Sequence, residues 1–218
     1  HTRNKTEMAE AVADAAAAFG NRRVVAIWPD RAGEGGLTFD GYHVAAAVAG
    51  LISGVAPHQG LTNVELAGFD DVSRSSDYFN TSHLDIMAEA GAWIVTKTMQ
   101  GRVITRHGLT TDVSTIAFQE EMVRRNVDSI SYVFLNQLRD FIGRANVTPS
   151  ALEALRVRLI SAIEFLKLNG FVERLGGQLI DGTVVSVRQH VLLRDRVVVT
   201  LSLTIPFPMN FIEVHLVV

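Results

Sequence analysis

Residues 196–205, RVVVTLSLTI, repeat with a period of two. Val197, Val199, Leu201, Leu203 and Ile205 fall on one face, and Val198, Thr200, Ser202 and Thr204 on the other. Only a β-strand places side chains this way. Pro206 and Pro208 then interrupt the run, because a proline has no N–H to give to a sheet ladder. Residues 211–218 resume the period, with Ile212, Val214, Leu216 and Val218 against Phe211, Glu213, His215 and Val217. The sequence thus closes on a second expected strand, as apolar as the first. An unpaired apolar strand is an aggregation hazard, so a partner is expected for it, in the same chain or in another.

With 218 residues the chain is long enough for one large domain or two small ones. Its 48% apolar and 20% charged residues are those of an ordinary folded protein. A net charge of −3 gives no argument for a nucleic-acid or anionic-membrane partner, which a basic excess would serve. The absence of cysteine excludes disulfides, thiolate zinc sites and cysteine nucleophiles. No run approaches the ~20 apolar residues of a membrane span. The chain starts at His1 rather than Met and without a signal-peptide pattern, which reads as a cut within a longer protein.

The first half alternates helix and strand. Residues 5–19 are alanine-rich and helical in character, stopped by Gly20-Asn21. Residues 23–28 read as a buried strand, 31–36 as a glycine-rich loop, 42–55 as a small-residue helix and 63–66 as a possible strand. A short helix follows at 82–90 with Ser82 as its cap. Residues 92–98 and 103–106 make a hairpin around Gln100-Gly101. This order favours an α/β arrangement with some parallel pairing. The second half carries two helices. The first, at 128–144, has Asp128 at its start and Ile130, Phe134, Leu138, Phe141 and Ile142 at helical spacing. The second opens at Thr148-Pro149 and continues with Leu152, Leu155, Leu159, Ile163 and Leu166. Their three-residue link makes them a pair. A hairpin of 184–191 with 196–205 and the closing strand complete the chain. The expected class is α/β with an α+β tendency: a mixed sheet with helices packed on it, a C-terminal antiparallel hairpin and a terminal strand. A subdivision into 1–98 and 99–218 is expected.

Candidate chemistry is sparse. His43, His58, His83, His107, His190 and His215 show no i, i+4 metal spacing and read as scattered surface or half-buried residues. Gly33-Glu34-Gly35-Gly36 matches no phosphate-loop pattern, and Glu34 would repel a phosphate. Ser73, Ser75 and Ser76 lack a nucleophile elbow. Glu120-Glu121 and Asp70-Asp71 read as solvated charges, because neighbours on a strand diverge. Arg156, Arg158, Lys167, Arg174, Arg188, Arg194 and Arg196 make the last third locally basic, a face for an acidic partner or for ordinary salt bridges with Glu153, Glu164, Glu173 and Asp195. These readings leave no catalytic site, no metal and no cofactor. One alternative stays open: an enzymatic or small-ligand α/β domain using the Asp30–Gly36 loop, at the position where open α/β sheets bind ligands.

Several segments in order resemble a known family. They are NVDSISYVFLNQLRDFIGRANVTPSALEALR, then LIDGTVVSVRQHVLLRDRVVVTLSLTIPFPMNFIEVHLVV, with TNVELAGFDDVSR and AGAWIVTKTMQGRVITRHGLTTD upstream. Together they resemble the C-terminal part of contractile phage tail sheath proteins, related to the sheaths of R-type pyocins and type VI secretion. The ending carries most of it: a strand, Pro206-Phe207-Pro208, Asn210, Ile212-Glu213-Val214 and Leu216-Val217-Val218. The likeness covers residues 56–218, with weaker support over 1–55; residues 21–38 match nothing in the family.

The resemblance implies a sheath core domain over 1–218, without the N-terminal arm and outer domains of a complete member. It implies a structural, non-enzymatic subunit that polymerises with itself as rings or a helix around a tail tube. Triggered by a baseplate, such a sheath contracts and drives the tube through a cell envelope. It implies a place in a virion tail assembled in the host cytoplasm, with no nucleic-acid or membrane partner and no cofactor. On this reading Ile212, Val214, Leu216 and Val218 would plug into a neighbouring subunit's sheet, and Arg156 and Arg158 would face the tube.

Overall fold

A computed structural model describes residues 4–72, 74–168 and 176–213. Contacts divide the chain into two units. The first comprises His1–Val55, Gln59–Arg124 and Pro208–Val218, and the second Ala56–His58 and Arg125–Phe207.

The first unit is built on a mixed three-stranded sheet of β1 (Ala26–Trp28), β4 (Ala92–Lys97) and β5 (Val103–Thr105), in the order β1-β4-β5. β1 runs parallel to β4, with Ala26 opposite Ala92 and Trp28 opposite Ile94. β5 runs antiparallel, with Val95 opposite Thr105. A parallel pair needs a long crossover, and crossover helices cover both sheet faces. Accordingly the first four residues of β4 are all buried. Ala92 and Ile94 pack with Trp28, Phe79 and Met87 in one core, while Trp93 and Val95 pack with Val44, Val48 and Val103 in another. The period of two that separates these side chains also separates the helices. α1 (Lys5–Ala17) and α3 (Thr81–Glu89) give residues to the first core, and α2 (Gly41–Gly54) to the second.

Local chemistry sets the helix starts. The Asn4 side chain accepts from the Thr6 and Glu7 amides, and Glu7 reaches back to the Asn4 amide, a reciprocal capping box. α3 is capped by Asn80, whose side chain accepts from the His83 amide at 3.1 Å, and not by Ser82 as expected. Asn80 prevails because its carboxamide already bonds that amide, so the helix begins at Thr81. After α3 the chain turns at Gly91 with φ +88°, and a Cβ there would meet the Thr110 carbonyl oxygen at 2.5 Å. Gly91→Ala is expected to cost ~1–3 kcal/mol from the backbone alone, more with the clash. A denaturation midpoint equal to the parent's would refute it.

Three other expectations change. Residues 31–36 are not a loop: β2 (Arg31–Glu34) pairs antiparallel with β3 (Leu37–Asp40) around Gly35-Gly36. Both glycines have positive φ, +58° and +82°, which suits a two-residue hairpin turn. Residues 63–66 form no strand; Glu65 makes a single bridge to Ile104. The expected helix at 128–144 is α5 (Glu121–Leu138), preceded by a short α4 (Ile116–Gln119) and closed by a 3-10 turn at Arg139–Phe141. Asp128 therefore lies within a helix, because buried Met122 and Val123 extend its apolar stripe upstream and the buried Asn126 amide donates to the Gln178 carbonyl.

The second unit pairs helices with a hairpin. From Arg125 onward α5 carries Ile130 and Phe134 into a core with Leu155, Leu159, Ile163 and Leu166 of α6 (Pro149–Leu168). Thr148 accepts from the Ala151 amide at 3.2 Å and Pro149 takes the first helical position, as expected. Thr148→Ala should cost ~1 kcal/mol, read as an earlier urea midpoint; an unmoved midpoint would show the cap idle. β6 (Asp181–Gln189) and β7 (Val197–Thr204) form the antiparallel hairpin. Val199, Leu201, Leu203 and Ile205 face the core and Thr200, Ser202 and Thr204 face out, which is the alternation in the sequence. No described helix is long and apolar enough to cross a membrane.

Candidate functional site

The features of interest are the closing segment and the strand edges able to take a further strand. β6 and β7 form a two-stranded sheet, so each has an outer edge that no described strand covers. Such edges present a row of main-chain donors and acceptors.

Beyond β7 the chain does not continue as strand. Residues 205–213 have no regular structure, and the expected strand at 211–218 is unformed over its described part, 211–213. Pro206 and Pro208 explain the break, since neither has an N–H for a ladder. Val214, Leu216 and Val218 lie outside the described residues. Ile212 is described and stands 77% exposed, with Phe211 84% exposed beside it.

The root of this segment is held within the first unit. Pro208 lies against Gly60, where an added Cβ would come within 2.8 Å of the proline ring. The Thr62 hydroxyl donates to the Asn210 side-chain oxygen at 2.6 Å. The Asn210 amide nitrogen lies 2.9 Å from Glu120 Oε1 and 2.8 Å from His107 Nε2. His107 Nε2 is itself 2.8 Å from the same carboxylate oxygen, and the Phe211 ring stands edge-on to the imidazole with centroids 6.0 Å apart. The Glu120 side chain is only 8% exposed. Glu120 and Glu121 are thus buried rather than solvated as expected. Glu120 follows the last turn of α4, and Leu109 bridges to it, which draws the carboxylate in against His107. Nothing local marks this cluster, because its members are spread from residue 62 to residue 210.

The remaining candidates stay apart. Arg158 is exposed on α6, with no ion pair among the described residues. Arg156 is half-buried, and its guanidinium reaches the Val184 carbonyl of β6 at 3.4 Å. Of the expected ion pairs, Lys167 forms one with Glu164 at 3.2 Å and adds Asp181 at 3.5 Å. The Glu164 hydrogen bond and charge, with Asp181 behind them, hold the Lys167 ammonium above the ordinary lysine pKa. Asp30, Arg31 and Glu34 are exposed, and the main chain between them is engaged: Gly33 bridges Asp71, and the Gly35 amide donates to the Asp70 carboxylate at 2.9 Å. Ser75 is buried and donates to the main-chain carbonyls of Val72 and Val95. No group of three or more histidine or acidic side chains suited to a metal occurs among the described residues.

No protein-family model and no curated protein matches the sequence. Solved structures do match the fold. A chain of the anti-feeding prophage baseplate aligns over 91% of this chain with TM-score 0.72 and 14% identity, and this chain covers 55% of it. The contracted helical sheath of the same prophage aligns over 91% with TM-score 0.71 and 14% identity, 56% of that chain being covered. The sheath tail protein of Desulfitobacterium hafniense aligns over 87% with TM-score 0.62 and 16% identity, 47% of it being covered. The chain spans about half the length of the solved chains it matches. Across that span, its fold is the fold of contractile sheath proteins.

Proposed function

We propose that this chain is the core of a structural subunit of a contractile sheath, one that polymerises with copies of itself around a tube. The observation that carries the reading is the alignment of 91% of the chain, at TM-score 0.71, with a helical sheath in its contracted state. In this role the subunit works by assembly rather than by catalysis, within a phage tail or phage-derived particle put together in the host cytoplasm. A baseplate triggers contraction, and the free energy for moving the tube is stored in subunit contacts. Such head-to-tail contacts propagate as rings or helices.

Segment 211–218 is the linking arm in this reading. Its alternating side chains Ile212, Val214, Leu216 and Val218 fill pockets on a neighbour while the main chain adds a strand to an open edge. The outer edges of β6 and β7, which no described strand covers, and the exposure of Ile212 support that assignment. Backbone pairing suits a contracting lattice, because subunits can shift as rigid bodies while the arm stays paired.

Electron microscopy of the full chain expressed with its tube is expected to show tubes or ring stacks. A protein that stays strictly monomeric, with or without tube, would refute the reading. Arg158, exposed on α6, and Arg156, half-buried on the same helix with its guanidinium at the Val184 carbonyl, are assigned to the tube face. Charge reversal at both is expected to weaken tube-dependent assembly, and reversal of the exposed Arg158 alone to weaken it with folding intact, whereas reversal at Arg156 also loses its hydrogen bond to the Val184 carbonyl; unchanged assembly would remove them from that face.

A further inference from the structure

Asn210 sits in a segment whose neighbouring side chains are largely exposed. Met209, Phe211 and Ile212 are each more than three-quarters exposed, and no strand pairing holds residues 205–213. Yet the Asn210 carboxamide is half-buried and reaches three side chains, those of Thr62, His107 and Glu120. The orientation of the amide follows from its partners. A carboxylate only accepts, so Glu120 requires the nitrogen of Asn210, and the oxygen is left to accept from the Thr62 hydroxyl. Glu120 is a buried acid whose Oε1 has both the His107 ring nitrogen and this amide within 3 Å. A buried carboxylate that loses a donor is costly, so the site favours an amide at position 210 over any side chain that cannot donate. Pro208 against Gly60 adds a second point of attachment two residues earlier.

We propose that Thr62, His107, Glu120 and Asn210 form a clasp that seats the root of the closing segment on its own subunit, leaving the residues from Phe211 onward to reach a second copy of the chain. The identity of the second copy as the recipient rests on the sheath reading above; the clasp does not. A linking arm transmits force only if its root is held, and a polar clasp holds an extended segment that has no ladder to hold it. Asn210 acts here as a positioning residue. Beyond Asn210, Phe211 keeps an edge-on contact with His107 but stands 84% exposed.

The chain has no cysteine, so cysteines introduced at Ile212 and Met99, both exposed in the first unit, can carry a unique pair of spin labels. Pulsed distance measurement on the full chain, diluted with unlabelled chain, is expected to give one narrow distribution. Asn210→Asp sets a carboxylate against Glu120 in place of a donor, and Asn210→Ala removes the carboxamide without adding charge. Each is expected to replace the narrow distribution by a broad one. Thr62→Val, which removes a single donor, is expected to broaden it less. A distribution that is broad in the parent, or equally narrow in both Asn210 variants, would overturn the clasp. Assembly is scored separately by microscopy. Broadening in a chain that never polymerises would sustain the clasp and refute the sheath reading. Unchanged distances in a chain that forms tubes would do the reverse.

Discussion

Removing residues 211–218 is expected to abolish polymerisation of the full chain and leave both units folded. None of the three hydrophobic cores draws a residue from 211–213, and Phe211 and Ile212 are largely in water. Their loss therefore removes little buried area, at about 25 cal/mol per Å² of apolar surface. Asn210 and Pro208 remain, so the root of the segment keeps its attachments to Thr62, Glu120, His107 and Gly60. On the proposed reading, what is lost is the segment that would add a strand to a neighbour through its main chain and the alternating Ile212, Val214, Leu216 and Val218. The thermal midpoint should stay within a few degrees of the parent's, while sedimentation and microscopy find no tubes. Tubes formed by the shortened chain would show that the subunits are joined elsewhere.

The largest effect on stability is expected at Trp93. It is fully buried in β4, the central strand of the sheet, in the core that holds Val44, Val48, Val72 and Val103. A Cβ added to Gly108 would meet its ring at 3.3 Å, so the indole is closely enclosed on that side. Trp93→Ala is expected to cost ~3–5 kcal/mol, through lost burial and the cavity left behind. Against a typical total of ~5–15 kcal/mol, that is a large share, and urea unfolding should show it as a much lower midpoint. A loss under ~1 kcal/mol would mean that neighbouring side chains collapse into the space.

How much was legible depended on whether the signal was local. The alternation survives from Val199 to Ile205, because one face of the β6–β7 hairpin meets the core and the other meets solvent, whereas Val197 and Val198 are both half-buried. Leu155, Leu159, Ile163 and Leu166 lie in one core for the same kind of reason, with the helical period in place of two. Thr148-Pro149 marks a helix start that its own hydrogen bond explains. The hairpin at 31–40 was less legible. Its strands are only four residues each and lack a clean alternation, although Gly35-Gly36 is the kind of pair that a two-residue turn requires. The start of α5 was misplaced because Asp128 suits a cap in isolation, whereas burial of Met122, Val123 and Asn126 extends the helix upstream of it.

The closing segment divides along the same line. Its sequence carries a period of two over 211–218, which the described residues 211–213 do not form into a strand, and it determined the break at Pro206 and Pro208. These follow from covalent geometry and local periodicity, which need no partner. Only the tertiary structure decided that the root of the segment is seated at Asn210, that Glu120 is buried rather than solvated, and that the outer edges of β6 and β7 lack a described strand. Those outcomes depend on side chains at positions 62, 107, 120 and 210, which no local rule brings together. They meet because Thr62, the residues just after β5 and α4, and Asn210 come together within the first unit, and a buried carboxylate then requires donors wherever the fold can supply them.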